Sequence, residues 1–229
     1  MSDINLKKIK RIQVPNVLIK QHIKKKTICK QIKLSHKAFY LYITLKTVCI
    51  NNIVHIKNIN LLNLLNWKDT RLLKTYLKEL NMSNIITYDF GLEKLSKNQI
   101  LTINIIYNVA KFDKAFTQVD IDTINKIKYL TNNISHTYTV KKVTHTKYVN
   151  LIPQAIRLFY YREMDYNLRL SKSYKTTIKQ IGIRDEDIAI LNNIFNEHDI
   201  VKCISGKYKL DKTRECNQYI PYCSRYKKQ

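Results

Sequence analysis

A row of hydrogen-bond donors marks the stretch Trp67–Met82, WKDTRLLKTYLKELNM. Its leucines and its tyrosine recur at helical spacing, so one side of this helix is apolar and is expected to be buried. The opposite side, which has almost no acid, carries the donors Lys68, Arg71, Lys74, Thr75 and Lys78. Such donors bind phosphates, and an arginine can also bond a guanine edge at two points. The stretch therefore predicts a nucleic-acid-binding helix whose base-reading face consists of Arg71, Lys74, Thr75 and Lys78, with Arg71 placed to bond a guanine. A merely solvated lysine face on a small α+β unit is the alternative.

The segments before this helix are those that position it in a winged helix-turn-helix. Ser35 is suited to cap an aromatic-rich helix, His36–Val48, and a short strand follows at Asn52–Ile56. Ile59–Asn66 (INLLNLLN) predicts the helix that precedes the turn. Asp69 or Thr70 can then cap the basic helix, which this architecture places in the major groove of DNA.

The segments after the basic helix predict the wing. IITYDF (Ile85–Phe90) and ILTINIIY (Ile100–Tyr107) have the composition of strands, with Gly91 and polar residues between them. Lys94 and Lys97 lie in that intervening loop. A wing loop commonly touches the DNA backbone, so we expect both lysines to bind phosphate.

The charge of the chain predicts a polyanionic partner. The 229 residues include 41 basic and 17 acidic ones, for a net charge of +24. Lysine codons are favoured in AT-rich genomes, but glutamate codons are too, and the chain has 33 Lys against only 6 Glu. Residues 1–112 hold 20 basic and 5 acidic residues, so this half is expected to make most of the phosphate contacts.

The first 37 residues are basic but interleaved with apolar residues, which predicts a packed strand or helix rather than a free tail. Lys24, Lys25 and Lys26 are the densest basic cluster in this segment. Either they form a solvated face, or the segment lies as an arm along a phosphate backbone.

The pattern of the first half returns in the second. AIRLFYYRE (Ala155–Glu163) resembles AFYLYITLK (Ala38–Lys46) at an offset of 117. The segments near the start of each half, IQVPNVLIK (Ile12–Lys20) and TQVDIDTINK (Thr117–Lys126), correspond at an offset of 105. Asp120 or Asp122 can cap the helix predicted through Ile124, Ile127 and Leu130, near the start of the second half. The repeated order predicts two tandem winged helix-turn-helix domains, 1–112 with a basic N-terminal segment and 113–229 with a basic C-terminal tail.

The second half contains further predicted elements. Ser135–Val149 favours strand or extended structure and includes Lys141 and Lys142, two more candidates for phosphate contact. Tyr174–Ile181 and Arg184–Ile200 predict the two helices of the second unit, with Leu191, Ile194 and Phe195 matching Leu73, Tyr76 and Leu77 at an offset of 118. Val201–Leu210, with Gly206 at its centre, predicts a tight hairpin as the second wing. The last eighteen residues form either a docked extension or a mobile arm.

The sequence contains no pattern typical of an enzyme, a cofactor site or a metal site. Its three glycines are too far apart for a phosphate-binding loop, and its six histidines form no metalloprotease motif. The absence of these motifs predicts that the chain binds no small-molecule substrate. Five cysteines without a C-x-x-C pair and without a signal pattern predict reduced thiols and a cytoplasmic protein. No apolar run of about 18 residues is present, so no membrane-spanning helix is expected.

The segment AIRLFYYREMDYN (Ala155–Asn167), the opening QVPNVLIK followed by LSHKAFYLY, and the tandem layout resemble the two-domain winged-helix replication initiators of bacterial plasmids and phages. The resemblance implies binding to repeated origin sites on double-stranded DNA, recruitment of host replication proteins and no catalysis. The chain departs from this family at Asp185–Asp187, where acids occupy the start of the second unit's last helix. Either this helix docks differently on DNA, or the second unit serves mainly in self-association as a homodimer. A winged-helix transcription regulator, or an RNA-binding or ribosomal protein of an AT-rich genome, are the alternatives.

Overall fold

A computed structural model describes residues 11–20, 33–93, 95–106, 115–140, 143–168, 174–204 and 218–221. Within these ranges the helices are α1 Asn16–Ile19, α2 His36–Val48, α3 Asn58–Leu65, α4 Thr70–Met82, α5 Ile121–Thr131, α6 Ile152–Asn167, α7 Tyr174–Ile181 and α8 Asp185–Glu197. The strands are β1 Arg11–Pro15, β2 Ile53–Lys57, β3 Ile86–Tyr88, β4 Ile100–Ile105, β5 Phe116–Asp120, β6 Ile134–Val140, β7 Val143–Val149, β8 Val201–Ile204 and β9 Gln218–Pro221. The chain is therefore a mixed α+β protein, as its sequence predicted.

Side-chain caps determine where three of the predicted helices begin. The Ser35 hydroxyl accepts the backbone N–H of Ala38 at 3.2 Å and starts α2. Asp69, not Thr70, is the N-cap of α4. Asp120, not Asp122, caps α5, since its carboxylate accepts the backbone N–H of Thr123 at 2.7 Å. Each cap satisfies an N–H that the first helical turn leaves without a partner.

The two halves of the chain meet in an antiparallel ribbon formed by β1 and β5. Its register pairs Ile12 with Val119, Gln13 with Gln118 and Val14 with Thr117. The two glutamines occupy the same position in the corresponding segments IQVPNVLIK and TQVDIDTINK, 105 residues apart. Because these two glutamines pair with each other and the residues on either side pair crosswise, the ribbon has an approximate twofold arrangement.

Helices α2 and α6 pack against each other and connect the halves. The rings of Phe39 on α2 and Tyr160 on α6 meet edge to face, with centroids 5.9 Å apart. From Ile152 to Asp165 every residue of α6 except Gln154 is buried, and α6 also contacts α5, β5 and β9. The buried apolar side chains form one core cluster that contains residues of both halves.

A three-stranded antiparallel sheet in the order β2-β4-β3 packs beside α3 and α4. Ile86, on β3, lies opposite Ile105, and Val54, on β2, lies opposite Ile103; all four are buried or nearly so. In the second half, β6 and β7 pair as the hairpin for which Ser135–Val149 showed strand propensity.

The predicted tight hairpin within Val201–Leu210 lies partly outside the described residues, which end at Ile204 and resume at Gln218. In the described part, strand β8 pairs with β9, whose Tyr219 lies opposite Cys203. Strand β9 also contacts α6, where the guanidinium of Arg162 lies 3.3 Å from the centre of the Tyr219 ring. Burying that ring against α6 favours the later strand as partner, so this part of the C-terminal tail is docked onto the fold.

Candidate nucleic-acid interface

Helix α4 presents its donors outward because its leucines fill the core. Leu73, Leu77 and Leu80 are fully buried, and the helix packs against α2 and β3. The opposite side exposes the predicted residues Lys68, Arg71, Thr75 and Lys78, whereas Lys74 is half-buried. The structure thus brings all five predicted side chains of this stretch to one helix and its N-terminal turn.

An aromatic cluster holds the turn before α4. Asn66 ends α3 in the left-handed region, with φ of 56°, which asparagine tolerates better than most residues. The next residue, Trp67, packs between Tyr40 of α2 and Tyr76 of α4, with ring centroids 6.3 Å and 5.4 Å away. These contacts fix the path of the chain immediately before Lys68.

The one acid within α4 is turned away from the basic face. The carboxylate of Glu79 accepts two hydrogen bonds from Ser35, one from the Ser35 backbone N–H at 2.6 Å and one from the Ser35 hydroxyl at 2.7 Å. It thereby binds at the N-terminus of α2, where a negative charge is favourable. As a result, no carboxylate lies among the exposed side chains of α4 itself.

Asp69, at the N-cap, contacts Arg71 twice. One carboxylate oxygen accepts the Arg71 backbone N–H at 2.7 Å, and the other accepts the Nε–H of the same residue at 2.8 Å. The backbone bond, helped by the guanidinium, lowers the pKa of Asp69, which keeps it ionised at neutral pH. The Arg71 side chain remains 89% exposed.

Two further predicted contact residues, Lys74 and Thr75, also have partners within the protein. Lys74 Nζ donates to the backbone oxygen of Glu93 at 2.8 Å and so connects α4 to the loop between β3 and β4. The Thr75 hydroxyl donates to the backbone oxygen of Arg71 at 3.0 Å, although the side chain stays exposed. Among the described residues, therefore, no partner engages Lys68, Lys78 or the guanidinium end of Arg71 on the exposed side of α4 and its turn.

The loop that carries Lys97 is attached to the start of α3. The Asn58 side-chain nitrogen donates to the backbone oxygen of Ser96 at 2.8 Å, and the Ile59 N–H donates to the Lys97 oxygen at 2.9 Å. The Lys97 side chain is exposed. The other candidate contacts, Lys24, Lys25, Lys26, Lys94, Lys141 and Lys142, lie outside the described residues.

Helix α8 has the same length as α4, but its first turn exposes the acids Asp185 and Glu186. The two helices end in the same turn, since Ile85 N–H donates to Leu80 oxygen and Ile200 N–H to Phe195 oxygen. Those pairs are 115 residues apart, about one helical turn less than the offset of 118 suggested by the apolar pattern. At an offset of 115, Arg71 corresponds to the exposed Glu186, which reverses the charge at that position.

Arg157 of α6 joins the second half to the first. This fully buried guanidinium donates to the backbone oxygens of Leu18, Ile19 and Leu34, at 3.1, 3.1 and 2.8 Å. It also lies 4.8 Å from the ring centre of Phe39. Burial lowers the pKa of Arg157 to about 9, and the negative charge of Glu79 opposes that shift, so the group stays charged at neutral pH.

His36 forms a second link between the halves. Its Nε2 donates to the backbone oxygen of Gly182, in the turn before α8, at 3.2 Å, while its Nδ1 lies 3.4 Å from Arg157 Nη1. This arrangement suits a neutral ring that donates through one nitrogen and accepts through the other. Burial, followed by the charge of Arg157, lowers the pKa of His36 to about 4.

Sequence reasoning did not find the partners that organise the basic helix. Glu79, Trp67 and the Asp69–Arg71 contact were missed, although an acid at the N-cap followed two residues later by arginine is a readable signal for the last of these. Nothing in the sequence around Glu79 indicates that its partner is Ser35, 44 residues away.

Within the described residues, no three histidine, cysteine, aspartate or glutamate side chains are close enough to hold a metal ion. None of the helices in that part of the chain is long and apolar enough to cross a membrane. No family model, curated protein or solved structure matches this chain.

Proposed function

We propose that this chain binds double-stranded DNA in a sequence-specific manner through α4. The observation that carries the proposal is the exposed donor face of that helix, built over Leu73, Leu77 and Leu80, with its only acid bound at Ser35. A helix held from behind by its leucines and preceded by an anchored turn suits insertion into the major groove. We further propose that each half is a winged helix-turn-helix unit.

The proposed biological role is initiation of plasmid or phage DNA replication at repeated origin sites. It rests on the resemblance at Ala155–Asn167, which is the buried helix α6, and on the tandem order of elements. In this role the chain acts in the cytosol without catalysis, as a homodimer at some stage and together with host replication proteins. A plasmid that carries the bound sequence should replicate only when the intact chain is supplied; regulation of a reporter gene without replication would favour a transcription regulator.

The salt dependence of binding tests the role of α4. Affinity falls with salt by a log–log slope of about −0.9 for each phosphate neutralised. Removing one phosphate-binding lysine should therefore make the slope shallower by about 0.9, whereas removing a lysine elsewhere should leave it unchanged. Lys78→Ala removes an exposed cation of α4, and Lys175→Ala removes an exposed cation of α7, so the two variants have the same net charge.

The binding substrate is selected from random duplexes by the unmodified protein and compared with a scrambled duplex and with RNA of the same sequence. We expect preference for the selected DNA and a shallower slope for Lys78→Ala alone. Equal slopes for Lys78→Ala and Lys175→Ala would remove α4 from the interface. A preference for RNA would favour the RNA-binding alternative.

A further inference from the structure

We propose that Asp69 is a positioning residue, which presets the guanidinium of Arg71 for a two-point contact with a guanine edge. The inference rests on the proposed function and assigns base recognition to one pair of residues at the start of α4.

The geometry holds Arg71 at both ends of its side chain. Asp69 binds the backbone N–H of Arg71 with one oxygen and the Nε–H with the other. Among the described residues, Nη1 and Nη2 of Arg71 have no hydrogen-bond partner, and the side chain is 89% exposed. The two terminal nitrogens suit a bidentate bond to guanine O6 and N7. They are thus available on a side chain whose conformation is already fixed by Asp69.

An arginine–aspartate pair at the start of α8 shows the opposite arrangement. Arg184 donates to Asp187 through both Nε, at 3.1 Å, and Nη2, at 3.2 Å. One full edge of that guanidinium is therefore used by the carboxylate. Asp69, by contrast, engages only Nε of Arg71, because its other oxygen caps the helix.

The position of the carboxylate favours a base contact over a phosphate contact. A negative charge beside a phosphate-binding arginine weakens the attraction of the arginine for the DNA backbone. For a base contact the same carboxylate is useful, because an arginine that is already oriented loses less side-chain freedom on binding. Ordering one such side chain costs a factor of about 2 to 12 in affinity, which sets the size of the expected effect.

A double-mutant cycle tests this inference. Asp69→Ser keeps a hydroxyl that can cap α4 but is too short to hold Arg71 Nε. Binding to the selected duplex and to its scrambled form is measured at one salt concentration for the unmodified protein, Asp69→Ser, Arg71→Ala and the double variant. Asp122→Ser, which removes an exposed acid near the start of α5, is the matched control for charge and helix position.

We expect Asp69→Ser to lower the ratio of the two affinities by about 2- to 12-fold, while binding to the scrambled duplex stays equal or becomes tighter. In the Arg71→Ala background, the same substitution should leave the ratio unchanged. Asp122→Ser should not lower it in either background.

Two results would overturn the inference: an unchanged ratio for Asp69→Ser, or an equal fall with and without Arg71. The second would mean that Asp69 acts independently of that arginine. Failure of the proposed function is seen separately, in the unmodified protein, as equal affinity for selected and scrambled duplexes.

Discussion

Replacing Arg157 with methionine should destabilise the protein more than replacing any exposed arginine. The guanidinium is fully buried, and its bonds to the backbone oxygens of Leu18, Ile19 and Leu34 connect α6 to the first half. Methionine fills a similar volume but donates no hydrogen bond. The substitution therefore leaves three buried carbonyl groups without this donor.

The expected loss combines two opposing effects. A hydrogen bond that involves a charged group contributes about 1.5–3 kcal/mol, so three of them contribute roughly 5–9 kcal/mol. Removing the buried charge recovers a desolvation cost of several kcal/mol. The substitution also removes the positive charge that attracts the carboxylate of Glu79. We therefore expect a net loss of about 3–5 kcal/mol in the free energy of unfolding.

Urea denaturation followed by circular dichroism measures this loss. Arg184→Met is the matched control, because its guanidinium is 74% exposed and its ion pair with Asp187 should contribute only about 0–1 kcal/mol. Arg157→Lys, which keeps the charge but not the fork, should fall between the two. A loss below about 1 kcal/mol for Arg157→Met would refute the reasoning, since it would mean that water or backbone movement satisfies the three carbonyl groups without the guanidinium.

Two further predictions concern the core and the pH dependence of stability. Leu73→Ala and Leu77→Ala should each lower the free energy of unfolding by about 2–5 kcal/mol, because both leucines are fully buried; urea titrations with losses near zero would contradict the assigned core face. His36 has a pKa of about 4 in the folded protein and about 6.5 when unfolded, so the unfolded state binds more protons between these values and stability falls as pH drops from 6.5 to 4. Because the ring is only partly buried, we expect a loss of about 1–2 kcal/mol that His36→Gln abolishes, and identical pH profiles for both proteins would contradict this.

Local patterns in the sequence predicted the helices well, because local interactions determine where they begin and which side is buried. Ser35 was identified as the cap of α2, and the apolar spacing of α4 identified Leu73 and Leu77 as core residues. The end of α3 also followed from the sequence, since a helix was expected over Ile59–Asn66 and Asn66 is its C-cap. In each case the informative pattern lies within a few positions along the chain.

The contacts that join distant parts of the chain could not be predicted in the same way. Arg157 looks like one more basic residue in a basic protein, yet it is buried against carbonyl groups about 120 to 140 positions earlier. The pairing of β8 with β9 was missed because Gly206 suggested a nearer turn, while the burial of Tyr219 against α6 favours the later strand. Such contacts depend on the packed arrangement of α2 and α6, which a single sequence does not encode locally.

Under the proposed function, the difference in charge between α4 and α8 confines DNA recognition to α4. Both helices have the same length, and both end in the same hydrogen-bonded turn, yet Arg71 corresponds to Glu186 and Lys78 to Asn193. The acids at the start of α8 stabilise its N-terminus but repel phosphate, whereas the single acid within α4 is bound at Ser35. If α4 alone reads bases, Asn193→Ala should leave affinity for the selected duplex unchanged while Lys78→Ala weakens it. A loss for Asn193→Ala as large as that for Lys78→Ala would instead mean that both helices contact the duplex.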